Sequence, residues 1–181
     1  VLVNNAGFGD GNDFHQAPRD KTLGMIQVNI TALTDLMHAF LPGMVARGRG
    51  RILNVASTAA FQPGPSMAVY CATKAYVLSL SEGVGEELRG TGVSVTALCP
   101  GPTRTNFMEV ANVADNALFQ KGYVPVMTSA SVATIGYDAM KRGQMIAIAG
   151  FANKVGAFSN RLMPRVVIRR LTKRLLASGR H

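Results

Sequence analysis

Residues 65–83 read PSMAVYCATKAYVLSLSEG and place Tyr70 and Lys74 four apart. Apolar residues at helical spacing predict a helix over 66–89, with Gly90 and Gly92 bracketing its exit. On a helix, residues i and i+4 share a face one turn apart. Two readings of the pair compete. One is a half-buried tyrosine beside a solvated lysine; the other is a phenol that trades protons under the influence of an ammonium. Taken alone, the spacing favours the first, so the flanking chain has to decide.

On the N-terminal side, GRGRILNVAS (48–57) is a turn followed by a strand that ends near Ala56. On the C-terminal side, VSVTALCPG (93–101) is a strand closed by Pro100-Gly101. The chain opens on an apolar strand, Val1 to Asn5, that runs into Ala6-Gly7, and residues 8–18 read as loop. From Asp20 to Arg47 the residues Leu23, Ile26, Ile30, Leu33, Met37 and Leu41 recur at helical spacing. Residues 103–128 show no firm period; a helix near 129–142 and a strand at 144–149 follow. Strands and helices alternate and the strands are continuously apolar. That pattern predicts an α/β fold, a doubly wound parallel sheet covered on both faces. Ligands bind such sheets beyond the C-terminal strand ends. Asn5-Ala6-Gly7, Ser57 and Pro100-Gly101 each follow a strand.

The bulk numbers exclude several classes. The 181 residues suffice for one domain, and 48% hydrophobic with 16% charged residues excludes a disordered chain. Cys71 and Cys99 sit in apolar elements without ligand spacing, so we expect reduced thiols and no metal site. No signal peptide and no bilayer-length apolar run is present, and a cytoplasmic location is the expectation. The net charge of +9 is unevenly placed: residues 1–150 hold 11 Lys and Arg against 10 acids, and residues 151–181 hold 8 and no acid. A neutral body with a basic tail does not point to nucleic acid.

Ser57 precedes Tyr70 by thirteen residues, and Asn29 lies mid-helix, where an amide is a mediocre helix former. Singly, each has a plain explanation: a cap for Ser57, an exposed amide for Asn29, a surface charge for Lys74. Jointly they can converge at one rim of the sheet. The motifs NNAG (Asn4–Gly7), VNI with Asn29, NVAST with Ser57, YCATK with Tyr70 and Lys74, and CPGPTRT stand in the order found in the short-chain dehydrogenase/reductase family. Residues 1–150 thus resemble the catalytic C-terminal part of that family and its Rossmann-like fold. The YCATKA and LCPGPTRTNF stretches are similar to acyl- and steroid-type carbonyl reductases.

The resemblance implies an NAD(P)-dependent oxidoreductase moving hydride between the nicotinamide and an alcohol or carbonyl. Such a reaction needs a proton at the oxygen. A free tyrosine, pKa about 10, is a poor base at neutral pH, and an ammonium one turn away favours the phenolate by ~1.4 kcal/mol per unit. Tyr70 would be the acid/base and Lys74 its tuner and a ligand of the nicotinamide ribose. Ser57 would bind the substrate oxygen, and Asn29 would hold a relay water. Asn5, Ala6 and Gly7 would floor the cofactor cleft, with Pro100, Gly101 and Thr103 along the nicotinamide and Thr103 near its carboxamide. NADP is slightly favoured over NAD.

GFGDG (7–11) mimics a dinucleotide fingerprint, but Asn12 stands at the third glycine position and no helix opens there. In the family, the phosphate-binding glycine loop precedes NNAG. The chain is therefore expected to lack an N-terminal half of about 80 residues, at ~30 per strand–helix unit. The remaining sheet should then show an apolar edge. Phe61, Pro63, Met67, Phe107, Met108, Phe119, Tyr123 and Met127 point to a lipophilic substrate, with core packing as the plain alternative. The tail, 151–181, is expected to be helical. Val167, Ile168, Leu171 and Leu175 fall on one face of 165–177 and Arg165, Arg169, Arg170 and Lys173 on the other. Weak peripheral membrane contact through 165–181 competes with a terminal helix packed on its own domain or on a second copy. Rival readings of the whole are a non-catalytic regulatory or membrane-surface protein, or an inactive fragment.

Overall fold

The computed structural model describes residues 1–111, 113 and 125–176. In chain order the elements are β1 (Leu2–Asn4), α1 (Arg19–Ile26), a π-helical turn (Gln27–Ala32), α2 (Leu33–Ala46), β2 (Gly50–Val55) and a 3-10 turn (Thr58–Phe61). Next come α3 (Ala68–Glu87), β3 (Val93–Cys99), β4 (Thr103–Arg104), α4 (Phe107–Val110) and β5 (Met127–Thr128). The described chain closes with α5 (Ser129–Lys141), β6 (Ile146–Ile148), α6 (Phe151–Leu162) and α7 (Arg165–Leu176).

The main sheet has the order β1–β2–β3–β6 and every pairing is parallel. Its two faces follow the twofold alternation of the strands. Ile52, Val95, Ala97 and Cys99 meet α2 and α3 through Met37, Met44, Val77 and Leu78. Their neighbours Leu53 and Leu98 turn to α5, against Val132, Ala139 and Met140. Helices on both faces bury the strands, which is why most of their side chains are apolar, with Asn4, Asn54 and Thr96 as buried polar exceptions. β1 is an edge strand, and Val3 on it and Val1 just before it are exposed, in keeping with the expected apolar edge. Both cysteines are free and buried, and burial pushes each thiol up to about 12.

Helix α3 starts two residues later than periodicity predicts. Ser66 takes a left-handed φ of 64°, uncommon for a residue with a Cβ, and its hydroxyl donates to Asp13 at 2.7 Å. At the other end, Gly92 has φ 78° and lies against the Gly48 carbonyl, where a Cβ would collide. The helix expected over 20–47 is continuous but widens into the π-helical turn around Asn29. In the segment without a period, β4 and β5 form a two-residue parallel pair.

The tail packs on the body. Asn153 and Ala157 on α6 are buried, Asn160 donates to Gln62 at 2.7 Å, and Ile168, Thr172 and Leu176 form the buried stripe of α7. Here the expected apolar face of the last helix needs correction. Ile168 is turned inward, while Val167 and Leu171 stay exposed. Residues Phe119 and Tyr123, the Leu175 side chain and residues 177–181 lie outside what is described.

Candidate active site

The C-terminal ends of β1, β2 and β3 bring their following loops to the N-terminal half of α3, and the site is built there. Tyr70 and Lys74 are both buried on α3. The Lys74 ammonium donates to the Val55 carbonyl at 2.8 Å, at the last residue of β2, and lies 5.9 Å from the centre of the Tyr70 ring. Gly7, after β1, closes the group: a Cβ there would stand 3.0 Å from Asn29 Oδ1 and 3.3 Å from Lys74 Nζ. The Tyr70 ring packs on Phe107 with centroids 5.2 Å apart, within an apolar wall of Met25, Met67, Phe107 and Met108.

The electrostatics depart from expectation. Burial raises the Tyr70 phenol from 10.0 to about 12; hydrogen bonding to Ser57 opposes the rise and the neighbouring Cys71 adds to it. Lys74 is lowered from 10.5 to about 8, also by burial, with Cys99 acting weakly the other way. Desolvation outweighs the expected pull of the ammonium on the phenol. Tyr70 is thus a protonated group at neutral pH and Lys74 a cation that loses its proton with unusual ease.

Ser57 performs the plain capping role. Its Oγ accepts from the Ala59 amide at 3.1 Å, and its hydroxyl makes a long 3.5 Å contact to the Pro100 carbonyl. Asn29 is fully buried, and its amide is spent on the protein. Its Oδ1 accepts from the Phe8 amide at 3.1 Å, and its Nδ2 donates to the Phe8 carbonyl and to Thr73 Oγ1, both at 3.0 Å. The side chain of Asn29 therefore pins the loop after β1 to α3, with both amide hydrogens occupied. A relay water held by that NH2 group is not what the geometry offers.

Of the cofactor set, Gly7 joins Asn29 and Lys74 directly, and Pro100 reaches Ser57 through its carbonyl. Gly101 lies against Asn153 of α6, and Thr103 donates to the Gly101 carbonyl at 2.9 Å. Asn5 and Ala6 are exposed at the end of β1 and, among the described residues, make no side-chain hydrogen bond to the other groups.

Several supporting residues escaped sequence reasoning. Under the site a buried polar chain runs from Asn4 to Asn54 (2.8 Å), from Asn54 to Ser81 (2.9 Å) and from Ser81 to the Val77 carbonyl (2.6 Å). It ties β1, β2 and α3 together; an amide inside the apolar run ILNVA is the signal that could have found it. At the mouth, Lys21 bridges the buried Asp10 carboxylate at 2.7 Å and the Val110 carbonyl at 3.3 Å. One cation thereby joins the loop after β1 to α4. Nothing in the local sequence marks it.

This arrangement has close parallels among characterised folds. A family model described as short chain dehydrogenase matches residues 1–116. The uncharacterized oxidoreductase YvrD of Bacillus subtilis is 39% identical over 133 residues, 70% of this chain and 51% of that protein. A very-long-chain 3-oxoacyl-CoA reductase of Laccaria bicolor is 39% identical over 100 residues, 54% of this chain and 30% of that protein. The chain thus spans about half, or less, of the length of these relatives. Among solved structures, a short-chain dehydrogenase from Sphingobium yanoikuyae in complex with NADPH superposes with a TM-score of 0.75 at 31% identity. The match covers 89% of this chain and 62% of that one. A bulky-bulky ketone specific alcohol dehydrogenase from Comamonas testosteroni gives 0.69 at 28% identity, over 90% and 61%. With its motifs in order, its parallel sheet and its Tyr70–Lys74 helix at the strand ends, the chain belongs to the short chain dehydrogenase family.

Proposed function

We propose that the protein is an NAD(P)-dependent oxidoreductase acting on the carbonyl or alcohol of a lipophilic substrate, with Tyr70, Lys74, Ser57 and Asn29 as its working residues. One observation carries the reading: the Tyr70 hydroxyl is buried against an apolar wall, beside Ser57 and one turn from the Lys74 ammonium.

The residues present fit a nicotinamide nucleoside. The missing Cβ of Gly7 leaves a cradle bordered by Lys74, open to solvent along Asn5, Ala6 and Gly7. We assign Pro100, Gly101 and Thr103 to the nicotinamide side; the Pro100 carbonyl reaches Ser57, and Thr103 donates to the Gly101 carbonyl. Lys74 has donors left after Val55 and suits the ribose hydroxyls. The likeness to the NADPH-bound Sphingobium protein supports a nicotinamide cofactor, and NADP is the form we favour. When bound, the nicotinamide gives or accepts the hydride.

During reduction Tyr70 donates its proton to the substrate oxygen as charge develops there. A pKa near 12 keeps it protonated for that task at neutral pH. Ser57 holds the same oxygen by a hydrogen bond. The Lys74 ammonium, fixed by Val55, stabilises the phenolate left behind until solvent returns the proton. Asn29 keeps the loop after β1 and Thr73 of α3 in register, so that these groups stay within reach.

The apolar wall of Met67, Phe107 and Met108, together with the likeness to the Laccaria very-long-chain 3-oxoacyl-CoA reductase, supports apolar ketones or ketone-bearing acyl thioesters as substrates. The test is NADPH consumption by the full-length protein against apolar ketones, acyl thioesters and polar sugars. Turnover of the apolar compounds, with KM raised by Phe107→Ala, is expected. Sugars outperforming them would overturn the substrate class.

A further inference from the structure

Helix α6 is docked with its apolar side facing outward. At about 100° per residue, Asn153, Ala157 and Asn160 lie on one side, and these pack on the body. Phe151, Val155, Phe158 and Leu162 lie about half a turn away, on the opposite side. They are 82%, 52%, 63% and 73% exposed. A solvent-facing helix normally presents the reverse pattern. Beyond Pro164, α7 adds exposed Val166, Val167 and Leu171. Each helix thus exposes apolar side chains, and the four on α6 line one face of the kind that marks an interaction surface. Around them stand exposed Lys154, Arg165, Arg169, Arg170, Lys173 and Arg174, and residues 151–181 contain no acid.

We propose that this face of α6, with the basic flank of α7, lies on an anionic lipid surface. Charge selects the occupant. A second copy meeting the same patch across a twofold axis would oppose two acid-free basic tails, which costs rather than favours association. Anionic headgroups are complementary to the cations, and the two phenylalanines with Val155 and Leu162 suit the headgroup–acyl boundary. Among the described residues no helix is long and apolar enough to cross a membrane, so the contact is interfacial. The surface keeps Val167 and Leu171 of the stripe that periodicity assigned to the last helix, but Ile168 of that stripe is buried in the body and α6 supplies the main apolar face. The buried side of α6 meets Gly101 through Asn153, so the surface lies one helix thickness from the turn after β3.

The experiment is co-sedimentation of the full-length protein with phosphatidylcholine vesicles, with and without phosphatidylserine. Binding to the phosphatidylserine vesicles, weakened by salt, is expected. The doubly substituted Phe151→Asp, Phe158→Asp protein should lose about tenfold or more of that binding. Both positions are exposed, so its melting temperature should be unchanged. Lys154→Gln with Arg170→Gln and Lys173→Gln should flatten the salt dependence. Failure of the wild type to bind would overturn the proposal, as would binding indifferent to the two phenylalanines. A wild type that ignores vesicles, but is a dimer dissociated by the double substitution, would assign the face to a second copy instead.

Discussion

The Lys74 ammonium is held by the Val55 carbonyl at 2.8 Å, so the residue proposed to serve Tyr70 is itself positioned by the end of β2. A strand end and a helix turn are locked together by a buried cation, and burial lowers that cation to about 8. The same burial raises Tyr70 to about 12. Desolvation thus shifts both members of the helix pair.

Tyr70→Phe keeps the ring that packs on Phe107 and removes only the hydroxyl. Turnover by the full-length protein should fall by roughly 10²–10⁴, the usual contribution of a positioned general acid. Cofactor affinity and melting temperature should change little. Activity retained within about tenfold would exclude Tyr70 as the proton donor.

Lys74 gives a pH signature whose sign can be worked out. Its folded value, about 8, lies below the ordinary 10.5, so between those limits the unfolded chain binds more protons. Stability contributed by this group therefore rises with pH from about 8 to 10.5. Tyr70, Cys71 and Cys99 behave oppositely: each is raised to about 12, and each contributes a fall above its ordinary value of 10.0, 9.0 and 9.0. Wild type should gain on Lys74→Met as pH rises through that window, read as the difference between their denaturation midpoints. A difference that stays flat with pH would mean that Lys74 is not desolvated as described.

The Lys21–Asp10 pair should matter more than an exposed ion pair. Asp10 is buried and also accepts from Asn12 at 3.0 Å, so Lys21→Met strands a carboxylate. We expect a loss of about 1–3 kcal/mol, below the range for a fully buried pair because Lys21 is about one-third exposed. Adding Asp10→Asn should restore part of it. KM for apolar substrates should also rise, since Lys21 anchors α4, which carries Phe107. Denaturation curves and kinetics on the single and double variants decide between this and a passive surface pair.

Gly83 and Gly101 should respond oppositely to alanine. A Cβ at Gly83 meets nothing within 4 Å, and an alanine inside α3 should add up to about 1 kcal/mol of stability. At Gly101 the Asn153 amide already occupies the space, so alanine must turn that buried side chain away from the Ala149 carbonyl it donates to, at about 1–3 kcal/mol. Equal effects of the two substitutions would contradict the described packing of α6.

By itself the sequence determined the parallel α/β sheet, since continuous apolar strands alternating with amphipathic helices leave few other ways to bury both faces. It also determined which residue types stand at the strand ends, because motif order along the chain is a one-dimensional property. The ends of α3 were legible to within two residues from spacing and glycines, and Ser57 was legible as a cap. Other features depended on contacts between residues far apart. Asn29 joins Phe8 and Thr73 across separations of 21 and 44, and no local signal reveals that its amide hydrogens are already used. The direction of the Tyr70 shift needed the depth of burial, which outweighs a cation one turn away. The tail shows the limit most plainly: hydrophobic periodicity marks an apolar face on a helix but not its direction. Only docking through Asn153 and Ala157 decided that the apolar face of α6 points outward.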